Sequence, residues 1–236
     1  MAGMCSRKIT HVIFDLDGLL LDTEILYSRC TQSILDRYGK QFTWDIKQKM
    51  MGRKALEAAS ILITHTGIPL APEEFHKELY STLNAIFPEA ALMPGAEAIV
   101  FHLHALGIPL AVATGSARHA YELKVSKYPR IAACFSHVVC ADDPELKNGK
   151  PAPDVYLLAA SRFTSPPLSP DKVLVFEDAP NGVLSGKAAG MNVVMVPDKR
   201  TDPTLCQPAD MVVPSLENVD LEFWGENHRM GSQFLS

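Results

Sequence analysis

Residues 11–24 read HVIFDLDGLLLDTE. An apolar run meets Asp15, Asp17 and Gly18, then three leucines, then Asp22. In a β-strand, side chains at i and i+2 share a face, so Asp15 and Asp17 project together where the strand ends. Gly18 lets the chain turn sharply away from them. Crowded carboxylates repel and raise each other's pKa. A strand that ends in such a pair therefore points to a site.

Runs of the same kind recur along the chain. After THVIFD (10–15) come IPLAVATG (108–115), HVVCADD (137–143), VLVFED (173–178), NVVMVP (192–197) and DMVVP (210–214). They are continuous rather than alternating, the pattern of strands buried on both faces of a parallel sheet. Helix-length segments lie between them. PGAEAIVFHLHALG (94–107) opens on Pro and closes on Gly, the expected helix punctuation. PDVYLLAASRF (153–163) and APNGVLSGKAAG (179–190) read similarly. Strand–helix alternation implies βαβ units, hence an α/β fold with a parallel sheet and helices on both faces. The rhythm breaks between Thr23 and Leu92. SRCTQSILDRYGK, RKALEAASILITHTG and PEEFHKELYSTLNAIF read there as amphipathic helices. The expected organisation is a core of 1–22 and 93–236 with a helical cap of 23–92 inserted after the first strand. SPPLSP (165–170) is a loop, and the tail after Val219 reads as poorly packed.

Composition narrows the function classes. The 236 residues are 47% hydrophobic and 21% charged, with a formal net charge of −5. Lysines and arginines are scattered, so no basic surface for a nucleic acid polymer is expected. Cysteines at 5, 30, 134, 140 and 206 are odd in number and lack C-x-x-C spacing, which fits reduced thiols in a reducing compartment. With no signal peptide and no membrane-spanning run, the expectation is a cytoplasmic protein without membrane contact, a monomer by default.

In an open parallel sheet, ligands collect beyond the carboxyl ends of the strands. Read as one list, those ends supply Asp15 and Asp17; Thr114, Gly115 and Ser116; Asp142 and Asp143, shortly before Lys150; and Glu177 with Asp178. Clustered carboxylates call for a divalent cation, and a few hard oxygen ligands suit Mg²⁺. No His or Cys cluster competes for a softer metal. Thr114 with the amides that follow it, notably that of Gly115, and Lys150 offer the hydroxyl, N–H and ammonium groups that bind phosphate. An acidic metal site beside an anion cradle suggests phosphoryl transfer. Asp15 is then the nucleophile, giving an aspartyl phosphate. Asp17 protonates the leaving oxygen and later deprotonates water.

DLDG (15–18), Thr114 in VATGS, Lys150 in GKPAPD and Glu177–Asp178 in VFEDAPNG match, in order, the four motifs of the haloacid dehalogenase-like hydrolases, which this chain resembles. The resemblance implies a Rossmann-like core, a small helical cap and dependence on Mg²⁺. It also implies metal ligation by Asp15, the Asp17 carbonyl and Asp178, with Glu177 in or near that shell. MGRKALEAA, FPEAALMPGAE, GKPAPDVY and VFEDAPNGV are further similar to a nucleotide-directed branch of the family. That similarity implies a small phosphorylated metabolite as substrate, a nucleoside or sugar 5'-monophosphate such as pseudouridine 5'-phosphate. A phosphomutase using the same aspartate pair is the nearest rival reading. A binding module that has lost catalysis would lack one of Asp15, Asp17, Lys150 or Asp178, and all are present.

Other residues read as follows. Arg53, beside Gly52 at a cap helix start, is a candidate contact for a substrate anion. Trp44 is expected in cap packing, Asp22 as a cap or hinge acid of the first cap helix, and all eight histidines as structural or surface residues.

Overall fold

The structure is a computed structural model that describes residues 9–50 and 55–221. Strand β1 (His11–Phe14) is followed by four helices, α1 (Glu24–Asp36), α2 (Trp44–Met50), α3 (Ala55–Thr66) and α4 (Pro72–Ile86). Then come α5 (Ala96–Ala105), β2 (Leu110–Ala113), α6 (Arg118–Val125), α7 (Pro129–Ala132) and β3 (His137–Val139). The chain continues through α8 (Asp154–Ser161), β4 (Val173–Glu177), α9 (Pro180–Ala188), β5 (Asn192–Met195), α10 (Pro203–Cys206) and β6 (Met211–Val212). Each of the six expected strands is present, and they form one sheet, all parallel, in the order β3-β2-β1-β4-β5-β6.

Alternation along each strand sends side chains to two cores, one on each face of the sheet. Val12, Phe14, Leu110, Val112, Leu174 and Phe176 pack with apolar residues of α5, α6 and α7. Ile13, Ala111, Val173, Val175 and Val193 pack with those of α8 and α9. This is a Rossmann-like α/β sandwich. Phe14 stacks on Phe176 with centroids 4.9 Å apart and ring planes 14° apart, locking β1 to β4.

The register places the rim residues. Phe14 pairs with Phe176 on one side and with Val112 on the other. One residue further, Asp15 lies between Glu177 and Ala113, and its N–H donates to the Phe176 carbonyl at 3.0 Å. The sheet order reverses at β1, with β2 on one side and β4 on the other. That switch point is where open α/β sheets bind ligands.

The helical insert is joined to the sheet by two adjacent strands of backbone. Leu21 and Leu92 form an antiparallel bridge. Asp22 N–H donates to Ala91 at 2.8 Å, and Met93 N–H to Leu20 at 2.9 Å. Within the insert, α2 packs on α3, α3 on α4 and α4 on α1, around Leu35, Leu62, Phe75 and Leu83. Helices α2, α6 and α7 were not anticipated from the pattern. Helix α2 is short and α7 shorter still, and α6 (RHAYELKV) is mostly polar, so none shows a full amphipathic period. Among the described residues, no helix is long and apolar enough to cross a membrane.

Leu83 is fully buried between the inserted helices. Leu83→Ala should lower unfolding stability by about 2–5 kcal/mol in urea titration, and a loss under about 1 kcal/mol would contradict a tightly packed cap core.

Candidate active site

Strand β1 carries Asp15 to the rim, where its carboxylate is nearly inaccessible to water. Lys150, from the loop before α8, donates to Asp15 Oδ1 at 2.5 Å, to Glu177 Oε1 at 2.6 Å and to the Ala113 carbonyl at 3.1 Å. The three donors of its ammonium thus join β1, β2 and β4. Glu177 is saturated. Tyr156 O–H also donates to Oε1 at 2.5 Å, and the N–H groups of Asp178 and Ala179 reach Oε2 at 3.1 and 3.2 Å.

Two glycines make room for these acids. At Gly182, in the first turn of α9, a Cβ would overlap the Glu177 carboxylate. Gly18 has φ +83°, and a Cβ there would collide with Asp178 Oδ2. The glycine of the opening stretch therefore serves both the turn and the neighbouring acid.

The electrostatics at this rim are divided. Burial pushes Asp15 up to about 7; Lys150 opposes the shift, and the Glu177 and Asp17 charges add to it. Burial, then the charges of Glu177 and Asp15, push Asp178 well above the usual carboxylate range. Asp17 goes the other way. Burial alone would raise it, but the Lys124 ammonium and the hydroxyls of Thr23 and Ser116 outweigh that and hold it low. Asp17 Oδ1 accepts from Thr23 at 2.7 Å and Lys124 at 2.5 Å, while Oδ2 accepts from Ser116 at 2.8 Å and Thr114 at 3.3 Å.

Asp15, Glu177 and Asp178 each place a carboxylate oxygen within 4.8 Å of the others. Three carboxylates face the single ammonium of Lys150, so the fully ionised set carries an excess of negative charge. All donors are hard oxygens, so the group fits a divalent cation of the Mg²⁺ type. Above the rim, between the sheet and the helical insert, lies a cavity of about 560 Å³. Asp15, Asp17, Gly115, Lys150, Glu177 and Asp178 line it from below, and Tyr27, Lys47, His76 and Tyr80 from the inserted helices.

The haloacid dehalogenase-like hydrolase family matches residues 9–190, a span that includes every residue of this rim. The chain belongs to that family. Among relatives of this hydrolase, (DL)-glycerol-3-phosphatase 2 of Arabidopsis thaliana is 51% identical over 220 residues, covering 92% of each chain. A protein named "Probable pseudouridine-5'-phosphatase" from Drosophila melanogaster is 43% identical, covering 95% of this chain and 97% of that one. The solved β-phosphoglucomutase of Clostridium difficile superposes with a TM-score of 0.73 over 91% of this chain and 95% of its own, at 20% identity, and shows the shared fold.

The structure of this hydrolase gathers Asp15, Asp17, Gly115, Lys150, Glu177 and Asp178 at one rim, as the strand-end reading expected. Thr114 differs. Its hydroxyl is turned onto Asp17 and accepts the Ser116 N–H at 3.0 Å, and the residue is not among those lining the cavity. Arg53 lies outside the described residues, as does the tail from 222. Asp142 accepts the Arg118 N–H at 2.8 Å and Asp143 pairs with Arg162 at 2.5 Å, both away from the acidic cluster. Trp44 packs under Arg200, whose guanidinium carbon sits 4.0 Å from the ring centroid.

Sequence reading missed Thr23, Lys124 and Tyr156, and it placed Asp22 where Thr23 stands at the start of α1. His76, expected as a structural or surface residue, is half-buried, lies against the Tyr80 ring with centroids 4.4 Å apart and lines the cavity. The only advance signal for Lys124 is its place four residues after Ala120 on one helix face.

Two outcomes follow from this geometry. Asp15 is raised from 3.8 to about 7, so between those values the metal-free folded protein holds a proton that the unfolded chain has released. Stability contributed by that proton is present at low pH and lost as pH rises toward 7. A divalent cation held by Asp15, Glu177 and Asp178 would replace the proton, so the rise in melting temperature on adding Mg²⁺ should be large at pH 8 and small at pH 5.5. A shift independent of pH would contradict the assignment. Gly182→Ala would add about 1 kcal/mol on an open helix, but overlap with Glu177 should instead destabilise by about 1–3 kcal/mol. Calorimetry showing a higher melting temperature would refute that packing.

Proposed function

We propose that this chain is a Mg²⁺-dependent phosphatase that transfers the phosphoryl group of a small phosphomonoester to Asp15 and then to water. That it is a phosphoric monoester hydrolase follows from its family and from relatives named as phosphatases. The observation that carries the chemical reading is the Lys150 bridge. A buried carboxylate, aimed at a cavity, is held beside one ammonium and two further acids.

Asp15 attacks phosphorus through a carboxylate oxygen, and the bond from phosphorus to the ester oxygen breaks. Asp17, in its protonated form, gives its proton to the departing oxygen. The resulting carboxylate, the form in which its four donors hold Asp17 here, takes a proton from water. That water attacks phosphorus, the aspartyl phosphate opens, and inorganic phosphate leaves. Lys150 offsets charge on the phosphoryl oxygens, and the Gly115 amide donates to them. Asp15, Asp178 and the Asp17 carbonyl would hold Mg²⁺, with Glu177 behind them anchoring Lys150. When bound, the ion would supply charge neutralisation at the transferring group.

Residues 23–92 would move as a cap on a core of 1–22 and 93–236, hinged at the paired strands around Leu21 and Leu92, and exclude water when closed. The substrate class is the phosphate ester of a primary alcohol on a small hydroxylated molecule. Glycerol 3-phosphate leads, supported by the relative at 51% identity. A nucleoside 5'-phosphate such as pseudouridine 5'-phosphate is the second reading, favoured by a cavity of about 560 Å³ with the His76–Tyr80 pair on its cap side.

Release of inorganic phosphate from a metabolite panel tests the reading. Glycerol 3-phosphate or a nucleoside 5'-phosphate should stand well above the rest with Mg²⁺ present. Asp15→Asn should reduce kcat by more than about 1,000-fold while the melting profile stays cooperative. An isomerised sugar phosphate without released phosphate would favour a mutase instead.

A further inference from the structure

Among the described residues of this region, Lys124 is the one that is wholly buried, charged and absent from the cavity wall. Helix α6 presents it on the face that carries Ala120, toward the sheet and the cap. Its Nζ lies 2.5 Å from Asp17 Oδ1, 2.6 Å from Ser116 Oγ and 3.5 Å from the Tyr27 hydroxyl. The same nitrogen sits 4.4 Å from the centre of the Phe87 ring and 5.3 Å from that of Tyr27.

Burying an ammonium is unfavourable unless it is paired and hydrogen-bonded. A methionine of similar length would fill the same space without that cost. The partners show what the charge does here. Lys124 holds Asp17 Oδ1 directly and holds Ser116, which in turn donates to Oδ2 at 2.8 Å. Both oxygens are gripped, so rotation of the carboxylate is fixed. Tyr27 belongs to α1, just after the first connecting strand, and Phe87 follows α4, just before the second. Cation–π attraction falls away when the ring moves off the cation. The ammonium therefore rests on the two ends of the cap while it grips the core acid. It makes no contact with Asp15.

We propose that Lys124 is the positioning residue of Asp17, fixing the orientation of the carboxylate that gives up and regains the proton and tying it to the helical insert through Phe87 and Tyr27. This rests on the reading of Asp17 as proton donor, and it predicts a defect confined to proton transfer. Attack by Asp15 should be spared.

Two probes of matched shape separate these steps, p-nitrophenyl phosphate and p-nitrobenzyl phosphate. Nitrophenolate leaves without a proton, whereas the benzyl alkoxide needs one. Single-turnover release would be followed on the full chain with Mg²⁺ and enzyme in excess. Lys124→Met should slow release from the benzyl ester by about 100-fold, with release from the phenyl ester within about threefold. Lys124→Arg should recover part of the loss. Equal slowing of both esters, or of neither, overturns the proposal. Asp17→Asn is the control: without benzyl-selective slowing there, the role of Asp17 itself is wrong, whereas selectivity in Asp17→Asn alone rejects only the role of Lys124. Should circular dichroism show that Lys124→Met does not fold, Phe87→Leu is judged by the same ratio. Benzyl-selective slowing supports the coupling, and equal or absent slowing refutes it.

Discussion

The bridge of Lys150 to Asp15 at 2.5 Å and to Glu177 at 2.6 Å is the constraint on which the rest of this molecule depends. Two buried acids from neighbouring strands can share a rim only if a cation stands between them. Lys150 supplies that charge and also reaches the β2 backbone at Ala113. The surroundings then follow. Tyr156 and two backbone amides satisfy the rest of Glu177, and Gly182 and Gly18 leave the space the carboxylates occupy. The charge still unbalanced is what a divalent ion would complete.

Sheet and cap divide the remaining work. Pairing of Phe14 with Phe176 and Val112 fixes which residues emerge side by side at the rim. Chemistry-bearing groups therefore sit on rigid elements, while the open cavity above them is walled on its far side by helices attached through two short backbone strands. Asp17 stands at the junction. Its donors come from the first connecting strand (Thr23), from the segment after β2 (Thr114 and Ser116) and from α6 (Lys124). Glu177 is likewise held from several elements, by Lys150, by Tyr156 of α8 and by the amides that follow β4.

The legible and illegible parts of the sequence differ for a physical reason. Strands buried on both faces leave continuous apolar runs, so His11–Phe14 and Val173–Glu177 could be read directly, and the acids that end them mark the site. Asp178 directly follows such a run, whereas Lys150 stands out through GKPAPD, well past the end of β3. Lys124 and His76 lie on helices, where a polar residue on a polar stretch looks like a solvated one until packing supplies its partners. Thr114 ends an apolar run, but its hydroxyl serves Asp17 rather than the cavity, a direction that pattern alone does not encode. Trp44 was placed in cap packing, and its partner Arg200 lies far along the chain.

The most direct measurement is to trap the covalent state. Substrate turning over with Mg²⁺ would be quenched in acid, reduced with borohydride and digested for mass spectrometry. An aspartyl phosphate at position 15 is converted to homoserine there, and the account predicts that change at Asp15 and at no other residue. A peptide spanning 11–24 that stays unreduced, with phosphate released at the normal rate, would contradict it.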